Sequence, residues 1–209
     1  MRIRISYNKN PIIRFTSALD MQRIWERSFR RGSIRVTYSK GFHPQPRIQL
    51  GIPLPLGFIG MEEKVDIWIE DLLSLEDIIH RLERNLPEGL EISSIQEINV
   101  TEKALASQIQ FSDYRVYMRK KNFSQREMKN RINNLLNRKE IIREKRNGKK
   151  YDLRKLILAL EINKEDQNKP FVFIRLLSQP NKTGRADEVM FAMEYSIIDF
   201  IVERTGSYT

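Results

Sequence analysis

The sequence contains no cysteine. Disulfides, thiolate nucleophiles, zinc ribbons and any iron–sulfur cluster held by the chain's own side chains are therefore excluded. Histidine is nearly as scarce: His43 and His80 are the two in 209 residues, too few to form a convincing ligand set, so no metal site is expected. Glycine and proline number nine and eight, too few for a linker-rich or low-complexity chain. No apolar run reaches the roughly 20 residues that a membrane-crossing helix needs. Met1 to Ser17 alternates arginine with apolar residues and has no continuous apolar core, so no signal peptide is expected. These absences together predict a cytoplasmic protein with no membrane partner.

What the sequence has in excess is positive charge. Lysine and arginine total 37 against 27 acidic residues, a formal net charge of +10. Such a field concentrates phosphates and speeds their encounter, which points to an anionic partner and to nucleic acid first. A hydrophobic fraction of 40% supports a packed core, and 209 residues suit two small modules.

The apolar periodicity divides the chain accordingly. Ile3, Ile5 and Tyr7 alternate with polar residues, the period of a half-buried strand. Met21, Ile24, Trp25 and Phe29 recur at helical spacing between Ser17 and Gly32, which predicts a helix with both ends marked. Ile34 to Tyr38 and Arg47 to Gly51 read as strands around a proline-containing loop, followed by a strand over Val65 to Glu70. Leu75 to Leu86 predicts a second helix, and Leu90 to Val100 a further strand. The pattern restarts with a strand over Tyr114 to Met118 and a helical stripe of Met128, Ile132, Leu135 and Leu136. A hairpin is expected around Asn147-Gly148, because both residues tolerate positive φ. Buried strands at Leu156 to Ile162 and Phe171 to Leu177, a short helix at Arg185 to Met193 and a strand at Ser196 to Arg204 complete the chain, with Thr205 to Thr209 as a frayed tail. The order strand, helix, strand, strand, helix, strand, met twice, predicts an α+β protein of two tandem ferredoxin-like (split βαβ) modules, residues 1–103 and 109–209.

The run Tyr38-Ser39-Lys40-Gly41-Phe42-His43-Pro44-Gln45-Pro46-Arg47, continuing as Gly51-Ile52-Pro53-Leu54-Pro55-Leu56-Gly57, resembles the signature of the radical-SAM-linked family of unknown function. Arg14 to Asp20 with Trp25-Glu26-Arg27, then Asp152-Leu153-Arg154 and Gly184 to Val189, are similar to further segments of that family. Ala186 follows Arg185 where the family often has proline. The resemblance implies a radical SAM protein as partner, often cobalamin-binding, with neighbouring genes concerned with ribosomal proteins or RNA processing. It implies no catalytic residue in this chain. SAM, an iron–sulfur cluster and cobalamin would belong to the partner, with no cofactor held here.

Two surfaces stand out as candidate binding sites. In the loop from Tyr38 to Arg47, Pro44 and Pro46 fix φ and Gly41 permits an unusual backbone, so Tyr38, Ser39, Lys40, His43 and Arg47 are displayed on a stiff frame. From Arg138 to Lys155, nine basic residues face three acidic ones, a local excess of six. There Arg143, Lys145, Arg146, Lys149 and Lys150 surround a hairpin turn beside Tyr151, a shape that can follow a phosphate backbone without reading sequence. Arg154 and Arg185 join the set through the resembling segments, Arg185 at a helix start where Asp187 and Glu188 also cap. A stripe of Arg23, Arg27 and Arg30 on the first helix is partly neutralised by Glu26. Against these stand the plainer readings of prolines routing a long connection and of lysines keeping an edge hairpin soluble.

The expected function is an accessory protein without catalytic activity of its own, recognising ribosomal or transfer RNA for a radical SAM enzyme. Two alternatives stand beside it. A metal-independent RNA endonuclease of the CRISPR-processing type would use His43 or Tyr38, and a pure docking module would use the proline-rich loop on the partner protein.

Overall fold

Alternation along the first strand places Ile3, Ile5 and Tyr7 on one face and Arg2, Arg4 and Ser6 on the other, and both faces are covered in the computed structural model of the protein. The structure describes residues 1–119, 124–145, 147–163 and 170–208. The chain divides into two units, 1–109 and 110–209.

The first unit runs β1 (Arg2–Lys9), α1 (Ala18–Arg31), β2 (Ile48–Leu50), β3 (Ile59–Trp68), α2 (Leu75–Glu83), β4 (Leu90–Ile98) and the short α3 (Leu105–Gln108). Its antiparallel strands lie in the order β4-β1-β3-β2. Helix α1 begins where expected: the Ser17 hydroxyl accepts the Asp20 N–H at 3.1 Å, and the Asp20 carboxylate reaches back to the Ser17 backbone N–H. Met21, Trp25 and Phe29 of α1, with Ile78 and Leu82 of α2, pack on Ile3, Ile5, Val65 and Ile67. Tyr7 meets Trp25 edge to face at 5.1 Å.

The opposite face of β1 is charged and closed. Asp66 on β3, with no exposed surface, accepts Arg2 Nη2 at 2.6 Å and Arg4 Nε at 2.8 Å. Arg2 also donates to the backbone carbonyls of Glu102 and Lys103. A buried carboxylate is tolerable only with such partners.

The strand expected over Ile34 to Tyr38 reduces to two isolated bridges, Val36 to Ile69 and Tyr38 to Pro46. Pro44 and Pro46 carry no N–H and cannot extend a ladder there. The loop is still tied at its root, since the Thr37 N–H donates to the Trp68 carbonyl and the Arg47 N–H to the Thr37 carbonyl, each at 2.8 Å.

The second unit runs β5 (Phe111–Met118), α4 (Gln125–Leu136), β6 (Ile142–Glu144), β7 (Lys150–Asp152), β8 (Ile157–Asn163), β9 (Phe171–Gln179), β10 (Lys182–Thr183), α5 (Ala186–Ala192) and β11 (Phe200–Tyr208). Strand order is β11-β5-β9-β8, again antiparallel, with β10 continuing the β8 side of β9. Strands β6 and β7 form a separate ribbon between α4 and β8. The last strand is longer than expected: Thr205 to Tyr208 is no frayed tail but pairs with β5, where Tyr208 stacks on Phe111 at 5.3 Å. Gly206 interrupts the propensity signal that would have carried the strand on. Among the described residues, no helix is long and apolar enough to cross a membrane.

Replacing Asp66 with alanine leaves two guanidinium groups without their buried acceptor. Denaturant unfolding of Asp66→Ala is expected to show a loss of about 3–5 kcal/mol, whereas Arg35→Ala, at a solvent-screened pair with Asp71, is expected to leave the unfolding midpoint nearly unchanged.

Candidate functional site

The hairpin forms because its turn residues accept the backbone it needs. Gly148 sits at φ +78°, its N–H donates to the Lys145 carbonyl at 2.9 Å, and Asn147 Oδ1 accepts the Lys149 N–H at 3.2 Å. Arg146 lies outside the described residues. At the root, Asp152 Oδ1 accepts the Ile141 N–H at 2.9 Å and the Arg154 N–H at 3.0 Å. Those N–H groups, Ile141 first, hold the Asp152 carboxyl below the usual carboxylate range.

Three arginines of the expected binding set make internal contacts. Arg143 Nε donates to Glu188 Oε2 at 2.5 Å, which fastens β6 to the first turn of α5. Arg185 grips Asp187 through two bonds of 3.0 and 2.6 Å, and the Asp187 carboxylate also accepts the Glu188 N–H, so the helix start is satisfied by the chain itself. Arg154 Nε donates to the Leu136 carbonyl at the end of α4, at 3.2 Å. By contrast Lys145, Lys149 and Lys150 are exposed and form no ion pair among the described residues.

Tyr151 lies directly across the ribbon from Arg143, half buried. Burial raises its phenol pKa, with Glu188 adding to the rise and Arg143 and Arg185 opposing it. Lys145 Nζ lies 5.7 Å from the ring centre. Tyr151 and Lys145 line a groove of about 380 Å³ together with Asp152, Lys155, Leu156, Leu177, Asn181, Lys182 and Thr183. Lys155 and Lys182 were not singled out from sequence. Lys155 belongs to the same basic run, and Lys182 follows Pro180-Asn181, with Asn181 at φ +67°: the proline-then-tolerant-residue signature of a turn that would have placed it. Among the described residues Asp152 is the single carboxylate of the lining, and it is engaged at the hairpin root.

In the first unit the proline loop is ordered by its own contacts. The Ser39 N–H donates to the Gln45 carbonyl at 2.8 Å, and the Ser39 hydroxyl accepts the Gln45 N–H at 3.0 Å. Gly41 takes φ +143°, a conformation other residues rarely adopt. Arg47 stacks on the Trp68 ring at 4.3 Å. Tyr38, Lys40 and His43 are exposed, and so is Phe42, which had not been singled out and is 103% accessible. An open cleft of about 590 Å³ beside the loop is lined by Glu26, Arg30, Arg35, Tyr38 and Glu70, a mixture of signs. Arg23, Arg27 and Arg30 all face solvent, Arg23 being 3.9 Å from Asp20. Among the described residues no cluster of three acidic or histidine side chains could hold a metal ion.

A basic, lysine-rimmed groove on an antiparallel α+β scaffold is the class of site present. Residues 2–186 match a family described as "Uncharacterized protein conserved in bacteria (DUF2344)", and the chain belongs to that family. No curated protein matches it. Among solved structures it is similar to one titled "Crystal Structure of a Cbf5-Nop10-Gar1 Complex", at 7% identity and a TM-score of 0.51. The match covers 98% of this chain and 48% of that one, so the chain spans about half the length of the structure it matches, and the likeness is one of fold alone.

The hairpin anchors give a pH-dependent prediction. A carboxyl whose folded pKa is depressed stabilises above its unfolded value of about 3.9 and loses that contribution as pH falls through the folded value. The protection of the amides of residues 142–145 and 147–152, taken relative to their intrinsic exchange rates, is therefore expected to fall in acid below about pH 4, while Asp152→Asn is less protected at neutral pH with a flatter acid response. Arg143→Ala should accelerate the same amides and leave the exchange of β5 and β9 unchanged.

Proposed function

We propose that the protein binds RNA, ribosomal or transfer, as the substrate-recognition partner of a radical SAM enzyme, on a scaffold of two ferredoxin-like (split βαβ) modules. The observation that carries the RNA part is the groove of the second unit, where lysines from three separate segments (Lys145, Lys155 and Lys182) converge beside Tyr151. Lysine is a compact, hydrated point charge suited to phosphate, and it contributes no sequence reading. The strand orders β4-β1-β3-β2 and β11-β5-β9-β8, each filled by strand, helix, strand, strand, helix, strand, support the modular assignment. The radical SAM partner is supported by the resemblance of Tyr38 to Gly57. In this reading the partner supplies SAM, the cluster and cobalamin in the cytoplasm, and this chain contributes binding: Lys145, Lys149 and Lys150 take phosphates while Arg143, Arg154 and Arg185 hold the hairpin and helix start in place.

Phe42 favours a role for the loop as the protein-docking surface. A phenylalanine fully in water in a proline-braced loop, between Gly41 and His43, has no packing partner among the described residues and fits a hydrophobic socket on another protein.

Titration of labelled small RNA across a salt series tests the RNA part. Charge reversal at Lys145, Lys155 and Lys182 together is expected to weaken binding at least tenfold and to lower the salt slope by about 0.7 for each phosphate no longer neutralised. Binding that ignores both salt and these substitutions overturns the proposal. Phe42→Ser is expected to abolish co-purification with the radical SAM partner while leaving the RNA titration unchanged.

A further inference from the structure

We infer that the groove of the second unit is built for one unpaired nucleotide of a single RNA strand, its base laid against Tyr151 and its flanking phosphates held by Lys155 and Lys182. This rests on the RNA-binding reading and narrows it from nucleic acid in general to the unpaired state.

Size comes first. A concavity of about 380 Å³ matches the lower range of small-ligand sites, which is the scale of a nucleotide, and a paired base enters it only after unpairing and unstacking, at a cost that an unpaired base does not meet. Duplex RNA is recognised across its wide, shallow minor groove by contacts spread over about 16 base pairs, which calls for a long flat surface. The groove is instead a pocket with an aromatic wall, apolar residues Leu156 and Leu177 in its lining, and cations from β10 and from the turn after β7.

Chemistry agrees with size. Single-strand binding combines a cationic track with an aromatic ring on which a base stacks. Tyr151 sits on the paired ribbon beside its cross-strand partner Arg143, whose bond to Glu188 ties that ribbon to α5, so little ordering is left to occur on binding. Lys145 lies 5.7 Å from the ring, near the roughly 6 Å limit of a cation–π contact, so an entering base displaces a flexible side chain at small cost and hands its charge to the phosphate. Lys155 pairs with Asp152 at 3.5 Å but is largely exposed, a weak pair that a phosphate can outcompete. The Thr183 hydroxyl gives its proton to the Gln179 carbonyl and keeps only acceptor capacity, whereas the Asn181 amide carries both donors and an acceptor suited to a base edge. Recognition should accordingly tolerate many sequences, with modest base preference.

Fluorescence anisotropy with the full chain decides it, comparing a short labelled single strand with the same strand annealed to its complement. The single strand is expected to bind at least tenfold tighter. Tyr151→Leu is expected to lose roughly 5- to 100-fold on the single strand with little change on the duplex, and Tyr151→Phe, which preserves the ring, to recover most of the loss. Equal binding of both forms, with charge reversal at Lys182 weakening both, overturns the inference and leaves the RNA reading standing. An unchanged single-strand affinity in Tyr151→Leu also overturns it. Absence of binding to either form removes the RNA reading and the inference together.

Discussion

The arrangement on which the first unit depends is the buried carboxylate of Asp66, shared by Arg2 and Arg4 across the β1–β3 pairing. It allows a strand whose outward positions are charged to sit between two neighbours with both faces covered. The second unit solves the same problem with the polarity reversed: Asp113 on β5 lies opposite Arg175 on β9, and two bonds of 2.7 and 2.8 Å join them. In each unit the strand that begins the sequence is central, and in each a cross-strand acid–arginine pair fixes its register, because a slip of one residue would point the charges into the apolar layer.

Around the hairpin of the second unit, and at the buried Asp66 of the first, the basic residues are sorted by chemistry. Arginine, whose planar fork matches a carboxylate, forms the internal ties: Arg143 to Glu188, Arg185 to Asp187, Arg2 and Arg4 to Asp66. Lysine supplies the outward charge at Lys145, Lys149, Lys150, Lys155 and Lys182. Counting both residue types alike, as net charge does, overstates how many cations a ligand meets and misplaces them. The groove stays cationic because Asp152, the carboxylate in its lining, gives Oδ1 to two backbone N–H groups and meets one rim lysine, Lys155, only at 3.5 Å through Oδ2.

Much of this was legible in the sequence, and the part that was not has a definite cause. Helix α1 could be bounded to within a residue because Ser17, Asp20 and Gly32 are local signals with local consequences. The hairpin was legible for the same reason, through Asn147-Gly148. Long-range pairing was not: nothing near Arg143 in sequence announces Glu188, and nothing near Tyr151 announces Lys182, which is brought to the groove by β9 and its turn. Arg143, Arg154 and Arg185 read from sequence as surface cations because their partners lie 45, 18 and two residues away, and only the folded chain shows which bonds are made. Phe42, an aromatic residue between glycine and histidine, reads as loop filling until its exposure is seen.

The two candidate surfaces also occupy equivalent places in their units. The proline loop joins α1 to β2, and the basic hairpin joins α4 to β8; each is the connection from the first helix to the second strand. That strand pairs along one side only, β2 with β3 and β8 with β9, among the described residues. A connection ending on such a strand can lengthen without disturbing the central pairings, because its backbone groups need satisfy only themselves and solvent. The loop does so with Ser39 and Gln45, the hairpin with Lys145 and Lys149. Each unit therefore has one connection free to lengthen, and there the first displays the exposed ring of Phe42 and the second a lysine-rimmed groove.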